Sequence, residues 1–329
     1  MNVLVVGGAG YIGSHMVKLL GGQGHTVVTF DNLSEGHRAA VTHGEFVEGD
    51  LHDRTLLVEV MQRHAIDSVI HFAASALVGE SVQNPAKYYE NNVVATFSLL
   101  EAMRRAGVGR IVFSSTCATY GQPEQVPIRE SERQEPVNPY GFSKLVIEHM
   151  LADYAHAYDL AYAALRYFNA SGAAEDGTIG EDHSPESHLI PIVLQVALGQ
   201  RSHVSIFGDD YPTADGTCIR DYIHVNDLAS AHLAALERLE PGTGIKLNLG
   251  TGVGQSVLEV IETCRKVTGH PIPVEVAPRR PGDPAELVAD ASAAWETLQW
   301  KARYTELEAI VATAWRWHQA HPRGYADRG

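Results

Sequence analysis

Residues 3–13 read Val-Leu-Val-Val-Gly-Gly-Ala-Gly-Tyr-Ile-Gly, and no other stretch limits the fold as sharply. Four apolar residues in a row predict a strand buried on both faces, because a strand with one wet face alternates. Glycines follow at once, so the chain must turn where side chains are not tolerated, and a helical pattern opens at 13–20. The rhythm then repeats. Strands are predicted at 26–30, 45–48, 68–72, 110–114 and 160–168, and helices at 56–64, 91–105 and 140–158. Short buried strands alternating with helices imply a parallel sheet covered on both faces.

After Asn169 the pattern changes. Residues 170–187, rich in Gly, Asp, Glu and Ser, read as a long excursion. Helices are predicted at 190–198, 225–236 and 307–318, strands at 221–225 and 246–249, and loops at 209–217 and 277–284. The expected fold class is α/β: a Rossmann-like doubly wound parallel sheet with a smaller C-terminal α/β substrate domain. The expected division is 1–169 and 170–329, with room for segments of the second half to return to the first sheet.

The glycines invite a dinucleotide. Gly8, Gly10 and Gly13 fit one spacing of the phosphate-binding turn, and Gly7, Gly10 and Gly13 fit another. In both, backbone N–H groups approach a pyrophosphate at a helix N-terminus. The second strand ends in Asp31, about twenty residues further on, where a carboxylate accepts hydrogen bonds from a ribose 2′-OH and repels a 2′-phosphate. This points to NAD rather than NADP. Asp50 has two readings, a partner for the adenine amine or a helix start.

Tyr140 and Lys144 stand four residues apart and share one helix face. A free tyrosine titrates near ~10. To act as a base at neutral pH it must be brought down to about 7, roughly 4 kcal/mol of differential stabilisation. A lysine ammonium one turn away is expected to supply part of that, and a positive nicotinamide ring more. Thr116, past the end of the fifth strand, is placed to bridge Tyr140 and a substrate hydroxyl.

Charge and composition narrow the partners. A formal net charge of −15 argues against nonspecific contact with nucleic acid or anionic membrane. No apolar run is long enough to span a bilayer, and no secretory signal pattern is seen. Cys117, Cys218 and Cys264 are far apart and expected as free thiols in a reducing compartment, hence a cytoplasmic protein. Among the seventeen histidines, His318 and His321 are close, but no carboxylate or cysteine joins them at ligand spacing, so no metal is expected.

Taken together, the residues resemble the extended short-chain dehydrogenase/reductases and, within them, the nucleotide-sugar 4-epimerases. The match runs through residues 7–14, 31–34, 49–51, 71–74, 88–92, 113–121, 138–141, 165–169, 207–213 and 220–225. The resemblance implies a resident NAD, a UDP-hexose substrate, and interconversion of UDP-glucose and UDP-galactose through a 4-keto sugar. By the same resemblance Gly7, Gly10, Tyr11, Ile12, Gly13, Asp31, Asn32, Asp50, Leu51, Phe72, Ala73, Ala74, Asn91, Ser114, Tyr140, Lys144 and Phe168 meet the cofactor. Thr116, Tyr140, Asn169, His188, Leu189, Phe207, Arg220, Arg280 and Asp283 meet the substrate: Asn169, Arg220 and Arg280 at the diphosphate, Asp283 at the ribose, and Phe207 at the uracil. Helices 91–105 and 140–158 are expected to pair across a two-fold into a homodimer.

The sequence departs from the family at several places. Thr116 stands for a common serine, Ala76 for a lysine, His188 for an asparagine, and Leu287 at a gate that holds tyrosine or smaller residues. Leu287 leaves acceptance of N-acetylhexosamines or uronic acids open. A 4,6-dehydratase would carry Asp-Glu after the threonine, where this chain has Cys117-Ala118. A net dehydrogenase would exchange its cofactor with solution. A non-catalytic NAD-binding protein would have no need of Tyr140 and Lys144.

Overall fold

The structure is a computed structural model that describes residues 1–280 and 282–325. Six strands come from the first half: β1 Asn2–Val6, β2 Thr26–Asp31, β3 Glu45–Glu48, β4 Ser68–His71, β5 Arg110–Thr116 and β6 Ala161–Tyr167. Seven follow from the second half: β7 Asn169–Ser171, β8 Val204–Phe207, β9 Ile219–His224, β10 Gly244–Leu249, β11 Gly254–Ser256, β12 Val274–Ala277 and β13 Glu286–Leu287. The helices are α1 Tyr11–Gly22, α2 Arg54–Arg63, α3 Val78–Gln83, α4 Pro85–Tyr88, α5 Ala95–Ala106, α6 Pro139–Tyr158, α7 Leu189–Ala197, α8 Val225–Glu237, α9 Val257–Thr268, α10 Ser292–Leu298 and α11 Leu307–Ala320.

A seven-stranded sheet runs in the order β10-β6-β5-β4-β1-β2-β3, every pairing parallel. Side chains alternate between its faces. Val3 and Val5 point into a core with Met16, Val17 and Leu20 of α1 and Leu228 of α8. Leu4 and Val6 point the other way, to Leu57 of α2, Leu99 of α5 and Ile147 of α6. Both faces are covered, which is why β1 reads as an unbroken apolar run. Strand order reverses at β1, which has β2 on one side and β4 on the other. In such sheets the ligand crevice lies at the strand carboxyl ends beside this reversal.

The second half is not a separate block. Its β10 pairs with β6 at the sheet edge, and α8 packs on the first core. The remainder forms a small sheet, β11-β9-β13 with β7 also on β9, and the β8–β12 pair. Ile190, Val193 and Leu194 of α7, Val260 and Ile261 of α9, and Ile310 and Val311 of α11 make its core.

Most predicted elements fall within two residues of the observed ones. The helix predicted at 91–105 is a partial exception. A π-helical turn, Tyr89–Val94, precedes it and α5 starts at Ala95. Helix α9 was missed although Val257, Val260, Ile261 and Cys264 stand at helical spacing behind a capping box of Ser256 and Glu259. Strand β12 was missed although Val274-Glu275-Val276 alternates; it is four residues long, mostly exposed and flanked by prolines.

Candidate active site

The turn after β1 is built as its glycines require. Gly7 has φ +75°, and a Cβ on it would lie 2.4 Å from the backbone nitrogen of Ala73; one on Gly13 would lie 2.1 Å from the carbonyl oxygen of Gly7. Helix α1 starts at Tyr11 with Gly10 as its N-cap and no side chain over its first N–H groups. That leaves donors facing the crevice for an anion. Ile12 packs against the first core. Tyr11 directs its hydroxyl at the carbonyl of Gly172, 2.6 Å away, and so ties the turn to the second half.

Asp31 closes β2, almost fully buried. Its carboxylate accepts from the N–H of Ala9 at 3.0 Å and of Leu33 at 2.9 Å. Burial raises its pKa, and these two hydrogen bonds oppose the rise. Asn32 donates to Asp50 at 3.0 Å, and Asp50 also accepts from the backbone N–H of His52 at 2.9 Å. That N–H holds the Asp50 carboxyl below its usual range. The helix-start reading of Asp50 is corrected: the cap of α2 is Asp53, which accepts from Leu56 N–H at 2.9 Å. Leu51 is buried in the second core. Phe72, Ala73 and Ala74 follow β4 at the reversal point, with Phe72 against His232.

Thr116 ends β5 and is nearly buried. Helix α6 begins beside it: Asn138 caps it by accepting from Gly141 N–H at 2.9 Å, and Pro139 supplies the first turn. Tyr140 is therefore fixed at the helix start, half-buried and hydrogen bonded to Thr116. Lys144 lies one turn on and is 2 % exposed. Its Nζ donates to the carbonyl of Ser114 at 2.8 Å and lies 4.9 Å from the Phe113 ring centre, but 6.0 Å from that of Tyr140.

One expectation changes here. Burial pushes Tyr140 up to about 12, opposed by the Thr116 hydrogen bond. Burial also brings Lys144 down to about 7. Desolvation outweighs a charge that does not touch the phenol, so the lysine does not lower Tyr140 in the protein alone.

The structure brings four of the expected substrate residues together in two pairs, Arg220 with Asp283 and Arg280 with Phe207. Arg220 of β9, almost buried, pairs with Asp283 at 2.5 Å, and its backbone registers with Leu287 of β13. Burial alone would lower its pKa, but Asp283 raises it. Arg220 also acts on Cys117, next to Thr116, which joins this group to the tyrosine. The guanidinium of Arg280 lies 4.0 Å over the ring of Phe207, at the end of β8. Gln122 donates to the carbonyl of Gly282 at 2.9 Å and closes the loop between them onto the first half. Asn169 opens β7, partly exposed, and Phe168 packs with Tyr120 and Ala289. His188 is the N-cap residue of α7 and Leu189 its first residue, but the His188 ring turns its Nδ1 toward Glu181 and Glu186.

Sequence reasoning assigned no role to Asn92, Tyr167, Glu148 or Arg166, which hold this arrangement around the expected Asn91 and Ser114. Asn92, fully buried in the π-helical turn, accepts from Ser75 N–H at 2.8 Å and donates to Ser143 Oγ at 3.1 Å, while Asn91 donates to Ser75 Oγ at 3.2 Å. Tyr167 hydrogen bonds Ser114 beside the lysine's acceptor. Behind Thr116, buried Glu148 accepts from Ser115 at 2.6 Å and from Arg166 at 2.9 and 2.5 Å. A buried Arg and Glu on adjacent predicted elements were the available signal.

A parallel sheet reversing at a glycine turn, with a tyrosine, a lysine and a threonine two strands along, defines a dinucleotide-dependent α/β enzyme. The family model for the NAD dependent epimerase/dehydratase family matches residues 3–250, and the chain belongs to that family. It is 58% identical over 327 residues to UDP-glucose 4-epimerase of Halalkalibacterium halodurans, covering 99% of this chain and 98% of the relative. The crystal structure of UDP-glucose 4-epimerase from Brucella ovis in complex with NAD superposes with a TM-score of 0.93 at 56% identity, covering 95% and 97% of the two chains. That of the Bifidobacterium longum enzyme, in complex with NAD+ and UDP, gives 0.94 at 41% identity, covering 99% and 100%.

Proposed function

We propose that this chain interconverts UDP-glucose and UDP-galactose by inverting C4 of the hexose, with NAD as its resident cofactor. The carrying observation is Tyr140, hydrogen bonded to Thr116 at the strand ends and one helical turn from buried Lys144. Full-length likeness to UDP-glucose 4-epimerases supports the same reading.

The glycine turn fits a pyrophosphate, since a Cβ at Gly7 or Gly13 would fill the cradle. Gly7, Gly10, Gly13 and the first turn of α1 would hold that group, Asp31 the adenosine ribose, and Ser114, Tyr140 and Lys144 the reactive end. Bound there, NAD would supply the hydride acceptor and donor that C4 needs to pass through a 4-keto sugar, and its positive ring would favour the tyrosinate. Tyr140 removes the proton of the 4-OH and later gives it back. Thr116 orients that hydroxyl and steadies the phenolate through the hydrogen bond it already makes. Lys144, held by the carbonyl of Ser114, keeps its ammonium under the site. Arg220 and Arg280 meet the diphosphate, where a guanidinium fork matches phosphate oxygens. Asp283 takes the ribose and keeps Arg220 aimed. Phe207 offers its ring to the uracil, with Asn169, His188 and Leu189 alongside.

No carboxylate follows Thr116; Cys117 stands there, its thiol pushed up to about 12 by burial. That disfavours elimination of water, which needs an acid and a base at this point. Two further readings belong with the proposal. Residues 1–169 serve the cofactor and 170–329 the substrate. The chain is a cytoplasmic homodimer. Its three unpaired cysteines support the compartment. A set of exposed apolar residues on the π-helical turn, α5 and α6 (Tyr89, Val94, Phe97, Phe142 and Tyr158) supports the assembly.

Tyr140→Phe tests the assignment. Turnover should fall by about 10²–10⁴, the span of general acid–base catalysis, while NAD and UDP still bind. Wild-type turnover in this variant would remove Tyr140 as the base.

A further inference from the structure

The loop between β7 and α7 carries a group of which the reaction uses only His188, at the edge of the substrate residues. Glu181, His183, Glu186 and His188 each turn one donor atom toward a common point, all within 4.8 Å of one another. Nδ1 of His188 lies 2.7 Å from Glu181 Oε1 and 3.3 Å from Glu186 Oε1. Nδ1 of His183 lies 3.1 Å from Glu181 Oε1 and 3.9 Å from Glu186 Oε2. Four ligands at 2.0–2.1 Å around a tetrahedral ion stand about 3.3 Å apart, and the four separations straddle that value.

The two carboxylate side chains are only 4% and 3% exposed. Buried carboxylates side by side need positive charge between them. Two imidazolium ions could provide it, but pairing each histidine with its own carboxylate does not require four donors to converge. A single cation among the four donors would meet that need at one point. A cavity of about 160 Å3, lined by Glu181, His183, Glu186, Gln195 and His318 among others, abuts the group and gives an ion an access route.

We propose that Glu181, His183, Glu186 and His188 bind one divalent transition-metal ion of the zinc type. Mixed imidazole and carboxylate donors suit that class. With four protein ligands the site is closed, so the ion is structural rather than catalytic. It pins the loop where three parts of the molecule meet. The Trp317 indole of α11 donates to the Glu181 carbonyl at 3.2 Å, the ring of Tyr11 meets that of His183 edge-on at 6.2 Å, and His188 leads into α7. The ion thus links the cofactor turn to the start of α7.

The full chain, stripped with a chelator and checked by circular dichroism for retained fold, is titrated with zinc sulfate near neutral pH. Metal content is read by mass spectrometry and melting temperature by calorimetry. One equivalent is expected, with a rise in melting temperature. His183→Asn should weaken uptake by at least ~10-fold, and His183→Cys, which restores a donor, should recover it. Stripped wild-type protein that takes up no zinc at a large molar excess overturns the proposal, as does His183→Asn binding like wild type. Should the variants not fold, the wild-type titration decides alone.

Discussion

At Tyr140 the protein builds an acid and leaves the making of a base to what binds beside it. Its phenol is pushed up to about 12 and its lysine neighbour down to about 7, both by burial. The four-residue spacing was legible in the sequence because helix geometry carries it. The balance between charge and desolvation was not, because it depends on Lys144 donating to Ser114 rather than to Tyr140. Burial acts the same way on four histidines. His15 and His232 are drawn down to about 4, and His71 and His224 to about 3. Nε2 of His15 and of His232 and Nδ1 of His71 have no partner among the described residues. Each is held neutral in the fold, so below pH ~6.5 the unfolded chain binds more protons. Stability from these groups is whole above that pH and falls toward pH 4, approaching about 1.4 kcal/mol per pH unit for each histidine. Urea midpoints at pH 7 and pH 5, as test conditions spanning this window, should therefore differ less in His232→Gln than in wild type. An unchanged difference would show that His232 does not titrate this way.

At the level of elements, the site rests on the ends of β5 and β6 and the start of α6. The ion pair of Glu148, midway along α6, and Arg166 of β6 ties that helix to both strands from behind, with the Arg166 guanidinium also donating to Tyr120 at 2.9 Å. Removing one partner leaves an uncompensated buried charge. Glu148→Ala should cost about 3–5 kcal/mol in denaturant unfolding, and a loss under 1 kcal/mol, the range of exposed pairs, would contradict that role. Long buried strands such as β1 and β5 were readable because both faces are apolar. Strands β7, β11 and β13 have two or three residues each, too few for any period, and exist because β9 offers them a partner. The glycine turn was readable for the opposite reason: crowding at Gly7 and Gly13 admits only one residue type.

In the whole molecule the chain crosses between its halves more than once. Residue 170 marks a change of rhythm, yet β10 completes the first sheet and Tyr11 reaches Gly172. Sequence patterning locates strands; it does not say which sheet they join. Four-residue-apart pairs and strand-end acids were visible in the sequence. Arg220 beside Asp283, or Arg280 over Phe207, required the fold to bring distant loops together. The exposed set of Phe97, Phe142 and Tyr158 predicts a sedimentation mass of two chains at micromolar concentration; a one-chain mass would contradict the homodimer.

The most direct test of 4-epimerisation is to incubate the purified protein with UDP-galactose, adding no NAD, and to separate the products by chromatography. UDP-glucose is expected, formed to a fixed ratio with UDP-galactose and with no net NADH. No conversion, even after NAD is added, would contradict 4-epimerisation.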